Sequence, residues 1–343
     1  MTDTDSHETV VPLIGAWALD ACSPAEDAFV EAHLAACPSC ARLARRLREA
    51  AAGIVDTRLR PPPGGLDRLR ATVHRSRRPV TPTAPFAAPY AAQVAALDLL
   101  LSQLTGEEWS RVAAYGELTV HDLVAHLGAT DGLVSAGIGL PVDPPAVPGQ
   151  RLAARTAAVL RVERARSPEE TRRAWRAQAD ELCRALVGQS SPGTATVLMG
   201  RPFPLVDAVL ARAFETWIHT EDIAAATGRP IVVPLPEHIH PMTDFAVRVL
   251  PAVISRHIAP PHDRLIRLHL TGPGGGIWTV PLDLAAVVPA TARPAAEVTV
   301  DLVEFCRMAA DRQDPARVTA RFAGDTALAR DFLNALPSMA TVP

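Results

Sequence analysis

Two of the five cysteines in this chain stand in one H-x-x-x-C-x-x-C run, His33 to Cys40, and a further histidine, His7, lies upstream. No other feature constrains the fold as tightly. Imidazole and thiolate donors are the ligands that a tetrahedral zinc ion takes at fixed distances, so an ion held by all four would clamp together the segments that carry them. Ser23-Pro24-Ala25-Glu26 is a capping box with proline at the first helical position, which predicts a helix from Pro24 towards His33. Cys37-Pro38 opens a second helix. His33 then ends one helix, while Cys37 and Cys40 occupy the first turn of the next, where the positive end of the helix dipole favours thiolates. The other reading of the same residues is a capping histidine beside two buried thiols.

The stretch Ala32-His33-Leu34-Ala35-Ala36-Cys37-Pro38-Ser39-Cys40, with the preceding capping box and His7, resembles the zinc-containing anti-sigma factor domain. The likeness covers residues 1–55, with a weaker echo in a short basic helix expected at Leu66 to Arg75. It implies a structural zinc ion held by His7, His33, Cys37 and Cys40, and an alternative sigma factor as protein partner. Cys22 departs from the family, which has an aliphatic residue there. It reads either as a small core residue or as a redox partner for Cys37 or Cys40.

At 343 residues the chain exceeds one ordinary core, and a hydrophobic fraction of 48% is ample for two or three. The net charge of -3 gives no electrostatic case for direct nucleic-acid binding, so action on transcription would run through a protein. All 34 basic residues are arginines, a compositional bias that makes arginine richness a poor sign of a phosphate site. No apolar stretch is long enough to span a membrane and no charged leader precedes one, so the expectation is a soluble, cytoplasmic protein with no membrane partner. A C-x-x-C and three scattered cysteines fit a reducing compartment better than a disulfide framework.

Along the chain, Arg60-Pro61-Pro62-Pro63-Gly64-Gly65 breaks any helix, and Pro79, Pro82, Pro85 and Pro89 form a second extended stretch. Residues 56–89 therefore read as a linker, its one helix either a grip for the sigma factor or a solvated spacer. Residues 90–232 are strongly helical. Ala91 to Leu104 is apolar-periodic, Thr105-Gly106-Glu107-Glu108 is a capping box, Thr119-Val120-His121-Asp122 starts another helix, Ser167-Pro168-Glu169-Glu170 starts a long one, and Leu205 to Thr227 ends at Gly228. Four such helices read as a bundle. Residues 233–343 change period: a hairpin at Leu265–Leu270 and Ile277–Leu282, strands at Glu297–Leu302 and Val318–Phe322, and a closing helix at Thr326–Leu336. The fold class expected is thus multidomain, α and α+β. His238 and His240 are expected in a proline-bounded loop.

In the bundle, Glu215 and His219 share one helix face, Asp222 lies one turn further, and His126 stands on a neighbouring helix. Such a face is either a surface ion-pair row or part of a three-ligand divalent site with positions left open. The stretches Leu118 to Leu127 and Glu215 to Ala224 resemble the two signatures of the mycothiol-dependent maleylpyruvate isomerase family, which has a DinB-like metal-binding four-helix bundle. The resemblance implies a divalent metal, usually zinc, on His126, Glu215 and His219 as catalytic centre, and mycothiol as thiol cofactor. Ala296 to Ala340 resembles the family's sterol-carrier-like α+β domain, from which Arg307 and Arg312 are candidates to bind a cofactor or substrate carboxylate. The family commonly has Arg where His121 stands, which puts the substrate in doubt. Together the two likenesses suggest a thiol- or ligand-responsive regulator of an alternative sigma factor. The alternative is a mycothiol-dependent isomerase or S-transferase, acting on an electrophilic small molecule, whose zinc segment serves docking.

Overall fold

A computed structural model describes residues 3–54, 80–114, 118–147, 149–189, 193–199, 202–255, 264–282 and 293–341. The helix expected at Leu66 to Arg75 and the proline-glycine run before it lie outside the described residues. The chain divides into two compact units, Met1–Val73 and His74–Pro343.

The first unit is helical: α1 (Asp3–Val10), α2 (Leu13–Ala18), α3 (Pro24–Ala36) and α4 (Pro38–Ile54). Ser23 caps α3 as its sequence requires. Its hydroxyl accepts from the Glu26 backbone amide, and its own amide donates to the Glu26 carboxylate at 2.8 Å. Cys37 ends α3, donating its amide to the His33 carbonyl at 2.8 Å, and Pro38 opens α4, where no amide donor is needed. A small core of Val10, Ile14, Val30, Cys40 and Ala44 joins all four helices. So few buried groups, each contributing about 1.5–3 kcal/mol for the larger side chains, make a slender core for a free-standing unit.

The second unit begins with α5 (Ala88–Leu101), a short hairpin of β1 (Val112–Ala114) and β2 (Leu118–Thr119), and α6 (Val120–Gly137). It continues through α7 (Leu152–Glu163), α8 (Pro168–Leu186), a second hairpin of β3 (Thr196–Leu198) and β4 (Pro202–Pro204), α9 (Leu205–Thr227) and α10 (Pro236–Ile254). Complete capping boxes at Thr119 and Ser167 start α6 and α8, and Gly228 stops α9 in the left-handed region at φ 68. The box expected at Thr105 half-forms: the Thr105 amide donates to Glu108 at 2.7 Å, but Arg229 also takes that carboxylate, and a single 3-10 turn leads into β1.

Two helices exceed the four expected. In α10, Pro236 sits at the first position and Ile239, Met242, Ala246, Val247 and Leu250 bury one face, so His238 and His240 lie in the helix rather than in a loop. Pro241 and Pro251 inside it conceal the period from a sequence reading.

The remaining layer is a four-stranded sheet in the order β6-β5-β7-β8, from β5 (Leu265–Thr271), β6 (Gly276–Pro281), β7 (Ala296–Asp301) and β8 (Arg321–Gly324). β5 and β6 pair antiparallel, β5 and β7 parallel, and β7 and β8 antiparallel. The strand expected from Val318 starts later because Pro315–Arg317 makes a 3-10 turn. Helices α11 (Leu302–Ala309) and α12 (Thr326–Ala335) cover the sheet, and their Phe305, Phe332 and Leu333 belong to one core cluster with Trp217 of α9 and Met242 of α10. Bundle and sheet layer thus share a continuous core. The described chain is mostly helical with small sheets, and none of its helices is long and apolar enough to cross a membrane.

Candidate metal centres and their buried support

In the second unit, α6 carries His126 and α9 carries Glu215 and His219 one turn apart. Their ligand atoms lie within 4.8 Å of one another. The His126 Nε2 is 2.6 Å from the Glu215 Oε1, the His219 Nε2 is 3.8 Å from the same oxygen, and the two imidazoles stand edge to face at 5.4 Å. The surface ion-pair row is not what forms, because His219 is buried and Glu215 points between the two rings.

Each ligand has a partner on its far side. His219 Nδ1 lies 2.9 Å from Asp222 Oδ2, and a carboxylate only accepts, so Nδ1 carries the proton and Nε2 presents its lone pair. Arg312 in turn grips Asp222 with two hydrogen bonds, 2.6 and 2.7 Å. Thr156 Oγ1 lies 3.4 Å from His126 Nδ1. Arg212 donates from Nη1 to the Glu215 Oε2 and from Nε to Asp131 at 2.8 Å. Asp131 is fully buried and also accepts from the Tyr90 hydroxyl at 2.8 Å and the Trp175 indole at 3.1 Å.

Burial, with His219 and Arg212 nearby, pushes His126 down to about 3, and burial also lowers His219 against the pull of Asp222. Burial opposes ionisation of Asp222, but its hydrogen bonds to Arg312 and His219 hold it below the usual carboxylate range. Two neutral imidazoles are the state in which both rings can offer a lone pair to a divalent ion. The donor set therefore fits such an ion, with three protein ligands rather than four.

Arg307 and Arg312, expected to face a ligand, are found against carboxylates of the chain itself. Arg307 makes a two-pronged pair with Glu221 at 2.8 and 3.0 Å, and Arg312 does the same with Asp222. Both arginines thereby tie the sheet layer to the helix that carries Glu215 and His219. The sequence reading missed the roles of Asp131, Arg212 and Thr156. Its available signal was charge inside otherwise apolar runs: Asp131 between Leu127 and Leu133, and Arg212 between Leu210 and Phe214.

In the first unit, His7, His33, Cys37 and Cys40 also bring their ligand atoms within 4.8 Å of one another. His7 Nδ1 is 3.9 Å from the Cys37 sulfur and 3.5 Å from that of Cys40. The His33 Nε2 is buried with no hydrogen-bond partner, and a bound ion would remove that cost. Hydrogen bonds from Ser39 and the Cys40 amide bring Cys37 down to about 6, the thiolate side of neutrality. Four ligands of two types match a closed structural zinc site. Cys22 is placed apart: its sulfur lies 3.8 Å from the Leu13 carbonyl, and burial with Asp27 and Glu26 raises its pKa.

Comparison with known proteins divides the chain in the same way. Residues 90–224 match the family described as "Mycothiol maleylpyruvate isomerase N-terminal domain", and residues 8–41 match the family described as "Putative zinc-finger". Two uncharacterized proteins of Mycobacterium tuberculosis, from strains CDC 1551 / Oshkosh and H37Rv, are each 26% identical over 202 residues, 57% of this chain and 76% of theirs. Crystal structures of a mycothiol-dependent maleylpyruvate isomerase and of a mutant of it cover 68% of this chain and 91% of their own. Their TM-scores are 0.44 and 0.45, at 18% and 17% identity. The chain is thus similar to a zinc-finger family at residues 8–41 and to the mycothiol maleylpyruvate isomerase N-terminal domain family at residues 90–224.

Proposed function

We propose that the second unit performs metal-dependent thiol chemistry, with mycothiol as the thiol, and that the first is a zinc-stabilised anti-sigma-type docking domain. The observation that carries the first half is the convergence of His126, Glu215 and His219 from two helices. A divalent ion held there supplies Lewis acidity that keeps a thiol ionised near neutral pH. The chain's own residues do the rest. Asp222 fixes the His219 tautomer, Thr156 sits behind His126, and the burial of both rings keeps them unprotonated. The reaction class is transfer or addition of a thiol to an electrophilic small molecule, of which isomerisation is one outcome.

The sheet layer is read as sterol-carrier-like. Its arginines act through Glu221 and Asp222, so their part is to hold α9 in place. The closed four-ligand cluster of the first unit supports the docking reading, in which an alternative sigma factor is the partner and loss of metal or oxidation of Cys37 and Cys40 releases it. The whole would be a cytoplasmic protein that couples thiol chemistry to regulation.

The test of the catalytic half is mycothiol-dependent turnover by the zinc-loaded full chain, read as isomerisation of maleylpyruvate, in which the thiol adds and is released again, or as net thiol consumption with an activated enone. The His126→Ala variant should lose it, and equal rates in parent and variant would defeat the reading. For docking, co-purification with candidate sigma factors should be lost in a His33→Ala, Cys37→Ala variant. Undiminished capture by that variant would rule the switch out.

A further inference from the structure

We infer that Arg212 restricts Glu215 to ligation through one oxygen, and so keeps a coordination position open that the carboxylate would otherwise close. The inference rests on the metal reading of His126, Glu215 and His219 and goes further by assigning a role to a residue outside that set. The two oxygens of Glu215 are not equivalent. Oε1 faces both imidazole Nε2 atoms, at 2.6 and 3.8 Å, whereas Oε2 receives the Arg212 Nη1. An ion approaching Oε2 would have to displace a hydrogen-bonded guanidinium.

Arg212 cannot easily move aside. Its side chain is 1% exposed, and its Nε donates to Asp131 Oδ1 at 2.8 Å. Asp131 is itself 0% exposed and held through its other oxygen by Tyr90 and Trp175. The anchor therefore reaches across the bundle: α5 supplies Tyr90, α6 supplies Asp131, α8 supplies Trp175 and α9 supplies Arg212. Such an arrangement resists rotation of the guanidinium better than a surface pair, because breaking it strands a charge in a dry interior.

Chemistry gives the arrangement a purpose. A free carboxylate can bind a divalent ion through one or two oxygens. The two-oxygen mode binds more firmly, and it occupies a position that a thiol or substrate needs. A guanidinium on Oε2 also withdraws negative charge from the ligand, which leaves a bound ion more strongly Lewis acidic. Arg212 is thus a positioning residue that trades strength of metal binding for an open site.

A role limited to stapling α6 to α9 makes a different prediction, and cobalt distinguishes the two. The experiment uses the full chain with Cys37→Ala and Cys40→Ala, so that Co2+ goes to the second unit. Visible absorption is then compared with that of the same chain carrying Asp131→Asn and Arg212→Met. This pair removes one charge of each sign and leaves an amide oxygen for Tyr90 and Trp175. The expected result is several-fold weaker visible absorption, as the ion gains a ligand oxygen, with a Kd for Co2+ equal to or below the parent's.

Arg212→Lys keeps a charge and a donor and is expected to retain the parent's spectrum. A spectrum unchanged in the paired variant overturns the inference, including when Kd rises by about the 10–100-fold typical of lost outer-shell support. A parent that takes up no Co2+ overturns the underlying metal reading instead, which separates the two failures.

Discussion

Acid should destabilise the metal-free second unit through His126. Burial places its folded-state value at about 3, against 6.5 for an unstrained imidazole. As pH falls below 6.5 the unfolded chain takes up this proton while the folded chain does not, so stability drops through that window and is fully present above it. At pH 4.5 the unfolded imidazole is two units past its midpoint and the folded one is still neutral, a cost of about 3 kcal/mol. His219, shifted in the same direction by burial, adds to the loss. The assay is urea unfolding of chelator-treated protein at pH 7 and 4.5, followed by tryptophan fluorescence. Trp109, Trp175, Trp217 and Trp278 all lie in the second unit. His126→Gln keeps a donor for Glu215 but does not titrate, so its pH dependence should be shallower by about 3 kcal/mol over this range. Parallel pH curves for parent and variant would refute the argument, and saturating zinc should raise the parent's curve without changing its slope above pH 5 or so, because the folded ring is already neutral there.

Three other outcomes follow from the same contacts. Asp131→Ala removes the buried acceptor of the Arg212 Nε, the Tyr90 hydroxyl and the Trp175 indole, leaving Arg212 only its pair with Glu215, and should cost about 3–5 kcal/mol in urea unfolding; a loss below about 1 kcal/mol would show that the pair is not desolvated. Arg312→Ala removes the guanidinium that holds Asp222 against His219 and should weaken zinc at the second unit by about 10–100-fold, measured by competition with a chromophoric chelator, with no change at the first unit. Cys40→Ala should reduce tightly bound zinc by one equivalent per chain in elemental analysis, and retention of the parent's content would refute the four-ligand site.

The helices were readable where their ends carry local chemistry. Ser23, Thr119 and Ser167 each sit three residues before an acid, and each starts a helix as expected. Helix α10 was illegible because Pro241 and Pro251 lie inside it, a cost that burial of Ile239, Met242 and Leu250 offsets. The clustering of the seven candidate side chains follows spacing and resemblance: Glu215 and His219, at i and i+4, must share a face, and the resemblances point to the other five. Their supports were not legible: Asp131 and Arg212 are 81 residues apart, and Arg312 and Asp222 are 90 apart. Pairing over such separations is set by packing of helices whose registers no local pattern reveals. Arg307 and Arg312 illustrate the same limit, being chosen correctly as notable arginines and matched to external anions instead of to Glu221 and Asp222.

Those two clasps impose an order on synthesis. Helix α9 leaves the ribosome with Glu221 and Asp222 bare, and the arginines that neutralise them follow 86 and 90 residues later. Until then the His219 ring has a carboxylate behind it that nothing anchors, so a nascent or prematurely terminated bundle would hold a loose imidazole where the finished chain holds a fixed one. A premature stop ahead of residue 307 should therefore yield helices whose His219 ring lacks the outer support that Arg312 gives Asp222.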